Sequence, residues 1–180
     1  MSVSLEPMKL ALKKSGLLSR IDEKKVIVVA GTNGKGSVCA TLEALLLSAG
    51  KRVGLYTSPH LIKPTERFRI NGVDISEEVF VKALSATENI SKELELNHFQ
   101  ALTFMAAWIY FSGNAGDFDY VILEVGIGGT FDATNAIPHK NCIISVLGMD
   151  HEDLLGNNIV SIAKNKFGIV SHNCQVVHAP

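Results

Sequence analysis

The segment Gly31-Thr32-Asn33-Gly34-Lys35-Gly36-Ser37 carries the most specific chemistry in this sequence. It follows an apolar, mostly β-branched run, Val26 to Ala30, and precedes a helix-like stretch from Ser37 to Ser48. Glycines in such a strand-to-helix turn let backbone N–H groups approach an anion closely. The helix N-terminus favours negative charge, and Lys35 offers an ammonium to the β- and γ-phosphates of a nucleotide. Glycines alone in a βα turn bind nothing. Together with lysine, serine and the strand-helix context they read as a phosphate loop. The spacing departs from the common G-x-x-x-x-G-K-[ST], because Gly36 stands between Lys35 and Ser37. A second group with chemistry is Glu124, a carboxylate at the end of another apolar run, Tyr120 to Val125. Strand C-termini are where open α/β sheets bind ligands, and Mg²⁺ takes one or two protein oxygens beside phosphate oxygens. No Ser/His/Asp nucleophilic arrangement is evident in the sequence.

These residues need a scaffold of alternating strands and helices. Val26 to Ala30 reads as a strand buried on both faces, Ser37 to Ser48 as a helix closing at Gly50, and Arg52 to Thr57 as a second strand, which makes a βαβ opening. A short helix over Met8 to Leu18 leads in, weakened by Gly16. Pro59, Pro64 and Asn71-Gly72 mark a long polar loop with a small hairpin between Ser58 and Ser76. Ser76 is a plausible N-cap for a helix to about Ile90. Val79 at the third position leaves it without a full capping box. A buried helix over Phe99 to Phe111, strands at Tyr120 to Val125 and Cys142 to Leu147, a helix over Ile159 to Lys166 and a strand over Gln175 to His178 complete the pattern. The class is α/β, a doubly wound and mostly parallel sheet with a phosphate loop.

Composition narrows the function classes. The 180 residues, 47% hydrophobic, suffice for one packed core, so one domain over 1–180 is expected. A formal charge of -1 gives no broad basic field for nucleic acid or anionic lipid, so neither is an expected partner. Cys39, Cys142 and Cys174 are scattered singly, with no C-x-x-C pair and no zinc-ligand spacing, which suits a reducing cytoplasm. No signal-peptide core or bilayer-length apolar run is present in the sequence.

The phosphate loop, followed by Tyr56-Thr57-Ser58-Pro59-His60-Leu61, resembles the folylpolyglutamate synthase/dihydrofolate synthase family, relatives of the Mur peptide ligases. The likeness continues through Glu66-Arg67-Phe68-Arg69-Ile70-Asn71-Gly72 and Glu124-Val125-Gly126-Ile127-Gly128-Gly129. It extends through Asp132-Ala133-Thr134-Asn135, Gly148-Met149-Asp150-His151 and Ile162 to Ile169. The resemblance implies a Mur ligase central-domain-like fold. The implied ligase uses ATP and two Mg²⁺ ions to add L-glutamate to dihydropteroate or folate through an acyl phosphate. ATP phosphates would lie on Gly31, Thr32, Asn33, Gly34, Lys35, Gly36 and Ser37. By the same resemblance Ser58, Glu124 and His151 would hold magnesium, Lys35, His151 and Lys166 would be catalytic, and Lys166 would be carbamylated.

Several positions depart from the family pattern: Thr130 where arginine is usual, Gln100 where glutamate is common, Asn165 for Glu, and Phe167 in place of a small residue. Phe167 is bulky enough to disturb packing beside Lys166. The resemblance also implies a second, C-terminal glutamate-ligase domain and a longer N-terminal start than this chain carries. Two rival readings stay open: another P-loop phosphoryl-transfer enzyme or Mur-type ligase, and a nucleotide-binding domain without autonomous turnover.

Overall fold

The computed structural model describes residues 4–149 and 158–179. In chain order its elements are α1 (Glu6–Lys14), β1 (Val26–Ala30), α2 (Lys35–Ser48), β2 (Val53–Tyr56), β3 (Phe68–Ile70) and β4 (Val73–Asp74). There follow α3 (Glu77–Glu93), α4 (His98–Phe111), β5 (Tyr120–Glu124), β6 (Asn141–Ile144), α5 (Ile159–Lys166) and β7 (Gln175–His178). The strands form one seven-stranded sheet in the order β4-β3-β2-β5-β1-β6-β7. Strands β2, β5, β1, β6 and β7 run parallel, while the hairpin β3-β4 adds antiparallel at one edge.

Strand β1 is buried along its whole length, as its unbroken apolar run requires. Its residues alternate between two cores. Val26, Val28 and Ala30 face the larger one with Val121, Leu123, Phe104 and Leu12. Ile27 and Val29 face the smaller one with Cys39, Val53, Leu55 and Ile122. Helix α2 covers the smaller core, while α4, which is apolar nearly all round, is buried in the larger one between the sheet and α3. Helices on both sides of a mostly parallel sheet make the α/β class expected above.

Local boundaries differ from the periodicity in instructive places. The leading helix stops at Lys14, because Gly16 turns left-handed (φ +73°) and Leu17–Arg20 continue as a separate 3₁₀ turn. Helix α2 starts at Lys35 rather than Ser37, α3 runs on to Glu93, and the strands read as Arg52 to Thr57, Tyr120 to Val125 and Cys142 to Leu147 are shorter. Just past each of these ends one more backbone bond continues the pairing: Thr57 N–H to Arg67 O, Val125 N–H to Val29 O and Ser145 N–H to Ala30 O. Ser76 caps α3 by accepting from Val79 N–H, and Asn71-Gly72 is the hairpin turn. No described helix is long and apolar enough to cross a membrane.

Candidate nucleotide and metal site

The phosphate loop leaves the C-terminal end of β1, the central strand between β5 and β6. Its first glycine has almost no room. Gly31 sits at φ +145°, and a Cβ there would lie 1.9 Å from Ser145 Oγ. Gly34 is left-handed at φ +80° and forms the N-cap of α2, so the first turn of that helix opens directly from the loop. Loop and neighbouring segment are stitched together. Thr32 N–H donates to Val146 O at 2.9 Å, and Ser145 Oγ donates to Asn33 O at 2.8 Å. Thr32 Oγ1 donates to Gly148 O at 3.0 Å and accepts from Gly148 N–H at 3.1 Å. Two ammonium groups close the base of the loop: Lys35 Nζ reaches Gly31 O and Thr32 O at 3.1 Å each, and Lys166 Nζ reaches Gly31 O at 2.9 Å. Gly36 and Ser37 are exposed in the first turn of α2.

Glu124 ends β5 beside this loop and is only 5% exposed. Burial raises its carboxyl above the ordinary range, opposed by the Ser58 N–H bond and by the charge of Lys35. Ser58 N–H donates to Glu124 Oε2 at 2.9 Å, and Oε1 would lie 3.5 Å from a Cβ built on Gly36. The Glu124 carboxylate and the Ser58 backbone therefore meet beside the loop. A carboxylate oxygen is the kind of hard donor that Mg²⁺ takes. His151 falls outside the described residues, as does Asp150, so their placement does not enter this geometry.

Lys166 is 1% exposed, although a lysine near the end of a short helix ordinarily reads as solvated. It is brought to the phosphate loop because the segment after Glu124 docks on α5. Thr130 donates both its N–H (2.9 Å) and its Oγ1 (3.0 Å) to Asn165 O, and Gly168 leaves room for Thr130. Asn135 Nδ2 ties Thr130 O and Gly168 O at 2.9 and 3.2 Å.

Sequence reasoning missed the residue that shapes this segment. Asp132 is buried and accepts from Gly126 N–H, Ile127 N–H, Thr134 N–H and Thr134 Oγ1 at 2.9, 3.2, 3.0 and 2.6 Å. Burial pushes its carboxyl upward, and those donors pull it back. An Asp two residues before Thr is an Asx-type turn signal that could have exposed this role.

The second loop, after β2, begins with a cis Ser58–Pro59 bond. Glu66 gathers the N–H groups of Leu61, Ile62 and Lys63, and Arg67 Nε donates to His60 Nδ1 at 2.8 Å.

No family model matches the chain. Individual relatives do. The dihydrofolate synthase/folylpolyglutamate synthase of Buchnera aphidicola subsp. Acyrthosiphon pisum is 44% identical over 170 residues, covering 94% of this chain and 40% of that protein. Escherichia coli FolC in complex with DHPP and ADP superposes with a TM-score of 0.91 at 35% identity, over 99% of this chain and 42% of that one. A bifunctional folylpolyglutamate synthase/dihydrofolate synthase with Mn, AMPPNP and L-glutamate bound gives 0.87 at 38% identity, over 99% and 43%. Over nearly its whole length the chain is similar to members of the folylpolyglutamate synthase/dihydrofolate synthase family. It spans about 40% of the length of the Buchnera relative.

Within this family's scaffold the unusual residues have local explanations. Gln100 is the third residue of α4 and completes a capping box with Asn97: Asn97 Oδ1 accepts from Gln100 N–H at 2.9 Å, and Gln100 Oε1 from Asn97 N–H at 3.1 Å. Thr130 fills the gap over Gly168, as described above. Phe167, next to the buried Lys166, is 36% exposed. The side chain of Asn165 has no structural explanation; only its carbonyl takes part in the Thr130 contact.

Proposed function

We propose that this chain supplies the ATP-binding and phosphoryl-transfer part of an ATP-dependent ligase that adds L-glutamate to dihydropteroate or to folate polyglutamates. The reading is carried by the convergence of the phosphate loop, Lys35, Ser58 and Glu124 at the C-terminal ends of β1, β2 and β5. The ADP, AMPPNP, Mn, DHPP and L-glutamate named for the solved relatives support it.

A carboxylate is a poor acyl donor. In the proposed reaction a substrate carboxylate oxygen attacks the γ-phosphorus of ATP, ADP departs, and an acyl phosphate remains. The amine of glutamate then attacks the acyl carbon, inorganic phosphate leaves, and an amide is formed with loss of a proton. This chain's residues contribute position and charge. Backbone N–H groups from Gly34 to Ser37 cradle the phosphates, those of Thr32 and Asn33 being held by Val146 O, and Lys35 exchanges the Gly31 and Thr32 carbonyls for phosphate oxygens. Ser58 and Glu124 would hold Mg²⁺, with His151 as a further ligand implied by the family. The ion, when bound, neutralises charge on the transferred phosphoryl group. Lys166, buried beneath Gly31, is the position proposed for carbamylation, which ¹³C NMR after exchange with ¹³C-labelled bicarbonate would register. The chain acts here as a single ATP-binding domain, with glutamate held largely by a second domain.

The deciding experiment is Mg-ATP-dependent incorporation of labelled glutamate into dihydropteroate and tetrahydrofolate, with Lys35→Ala as control. Product that disappears in the control supports ligase activity by the chain itself. Mg-ATP binding sensitive to Lys35→Ala without any amide would favour a nucleotide-binding domain that does not turn over alone.

A further inference from the structure

Away from the phosphate loop, the fold brings Cys174 to a histidine and a cysteine that stand three residues apart in sequence, His139 and Cys142. His139 precedes β6, Cys142 lies within it, and Cys174 immediately precedes β7. One ligand atom from each lies within 4.8 Å of the others. His139 is 6% and Cys142 1% exposed, while Cys174 is half-buried and gives access from solvent. A tetrahedral ion with metal–sulfur bonds of ~2.3 Å and metal–nitrogen bonds of ~2.1 Å holds its donors roughly 3.5–3.8 Å apart. A contraction of about 1 Å, within reach of a rotation of the half-buried Cys174 side chain, would close the cluster around such an ion.

The imidazole adds a second observation. Its Nδ1 lies 2.7 Å from Ile137 O and its Nε2 2.8 Å from Ile169 O. A neutral ring has only one N–H, so one of these contacts sets a nitrogen lone pair against a carbonyl lone pair. A doubly protonated ring would satisfy both carbonyls but would bury a cation without a carboxylate beside it in the cluster. A metal ion on that nitrogen would displace the facing carbonyl, end the conflict and leave the other N–H on its own carbonyl. Metal-bound histidines are usually oriented in that way. Cys142 Sγ also points at Ile169 O (3.5 Å), and Ser171 Oγ lies 3.1 Å from Cys174 Sγ.

We propose that His139, Cys142 and Cys174 form a binding site for one thiophilic d¹⁰ ion, Zn²⁺ being the simplest, with Ser171 or water as fourth ligand. Two sulfurs and an imidazole select such an ion over Mg²⁺, so the site is chemically separate from the oxygen donors at Ser58 and Glu124. It would fasten β6, the start of β7 and the turn after α5, the turn that follows Lys166. It does not depend on the ligase reading.

The test uses the reduced 180-residue chain titrated with Co²⁺, whose thiolate charge-transfer absorption reports sulfur ligation, followed by displacement with Zn²⁺. One Co²⁺ per chain is expected, released by Zn²⁺. Cys174→Ser should abolish the charge-transfer band, Cys142→Ala should weaken binding at least tenfold, and Cys39→Ala, on α2, should leave it unchanged. Zn²⁺ should raise the melting temperature of the parent chain and not that of the folded Cys174→Ser variant. Absence of the band in the reduced parent, or its survival in Cys174→Ser, overturns the proposal. So does a Cys142–Cys174 cross-link formed with diamide in protein that takes up no cobalt, which would make the pair a redox couple instead.

Discussion

Two loops leave the C-terminal ends of parallel strands and flank Glu124, but they are held by opposite means. The phosphate loop after β1 is fixed through its backbone. Thr32 and Asn33 bond to the segment after β6, Lys35 and Lys166 close on the Gly31 carbonyl, and the Gly31 Cα lies against Ser145. The loop after β2 is held largely by its own side chains, with Arg67 Nε on His60 Nδ1. Ser58 N–H holds Glu124 at one end, and Glu66 alone gathers the N–H groups at the tip, where Leu61 and Ile62 are 91% and 83% exposed. A loop that must present N–H groups to an anion tolerates little displacement, since catalysis by positioning is lost over about 1 Å. A loop with an exposed tip can adapt. The difference in anchoring therefore separates a shape-critical segment from a shape-tolerant one.

The largest expected effect comes from filling the space at Gly31. Gly31→Ala places a methyl group 1.9 Å from Ser145 Oγ and strains φ +145°, and should cost roughly 2–4 kcal/mol in denaturant unfolding while removing nucleotide binding. Gly34→Ala is the sharper control. Its φ of +80° is also unfavourable to alanine, but a Cβ there meets nothing within 4 Å, so the loss should stay near ~1 kcal/mol, the left-handed backbone cost alone. Equal losses at the two positions would mean that the loop relaxes as easily as its neighbour, and the contrast would fail.

A smaller effect tests the stitching itself. Thr32→Val keeps the side-chain shape and removes the reciprocal pair with Gly148, so a loss of about 1 kcal/mol is expected. Because Gly148 precedes Met149, Asp150 and His151 in sequence, the same substitution should weaken Mg-nucleotide affinity severalfold by isothermal titration. Unchanged affinity would show that the loop keeps its shape without this pair.

Much of this contrast was legible before the structure, and the part that was not has a physical pattern. Strand β1 and helix α5 show as periodicity and apolar runs, since each is dictated by its own residues. The phosphate loop shows because glycine and lysine must stand in fixed order between a strand and a helix. What stayed hidden depends on contacts between distant segments. Lys166 lies on a short helix whose burial is imposed by Gly129, Thr130 and Asn135. The His139, Cys142 and Cys174 cluster exists only because β6 and β7 pair in parallel, which no spacing rule for metal ligands covers. Gln100 was visible as a departure from the family pattern, and its local role went unread: Asn97-x-x-Gln100 is a capping signal in its own right.

The smallest global effect should come from the adaptable loop. Hydrogen bonds from Leu61 and Lys63 hold the Glu66 carboxyl below its ordinary value of 4.5, with those from Ile62 and the charge of His60 adding to them. A depressed folded-state value means that the carboxylate's contribution is fully present above that ordinary range and is lost as the pH falls through the folded value. At neutral pH the loop should resist limited proteolysis at Leu61 to Lys63. It should become severalfold more susceptible in Glu66→Ala, while the denaturant midpoint of the whole chain scarcely moves, because an exposed loop opens without the core. The parent loop should approach the variant's susceptibility only in acid below the usual carboxylate range, monitored with an acid-active protease. If Glu66→Ala instead lowered the unfolding midpoint as much as Gly31→Ala, the second loop would be as firmly built into the fold as the first, and its exposed tip could not be the adaptable wall of the site.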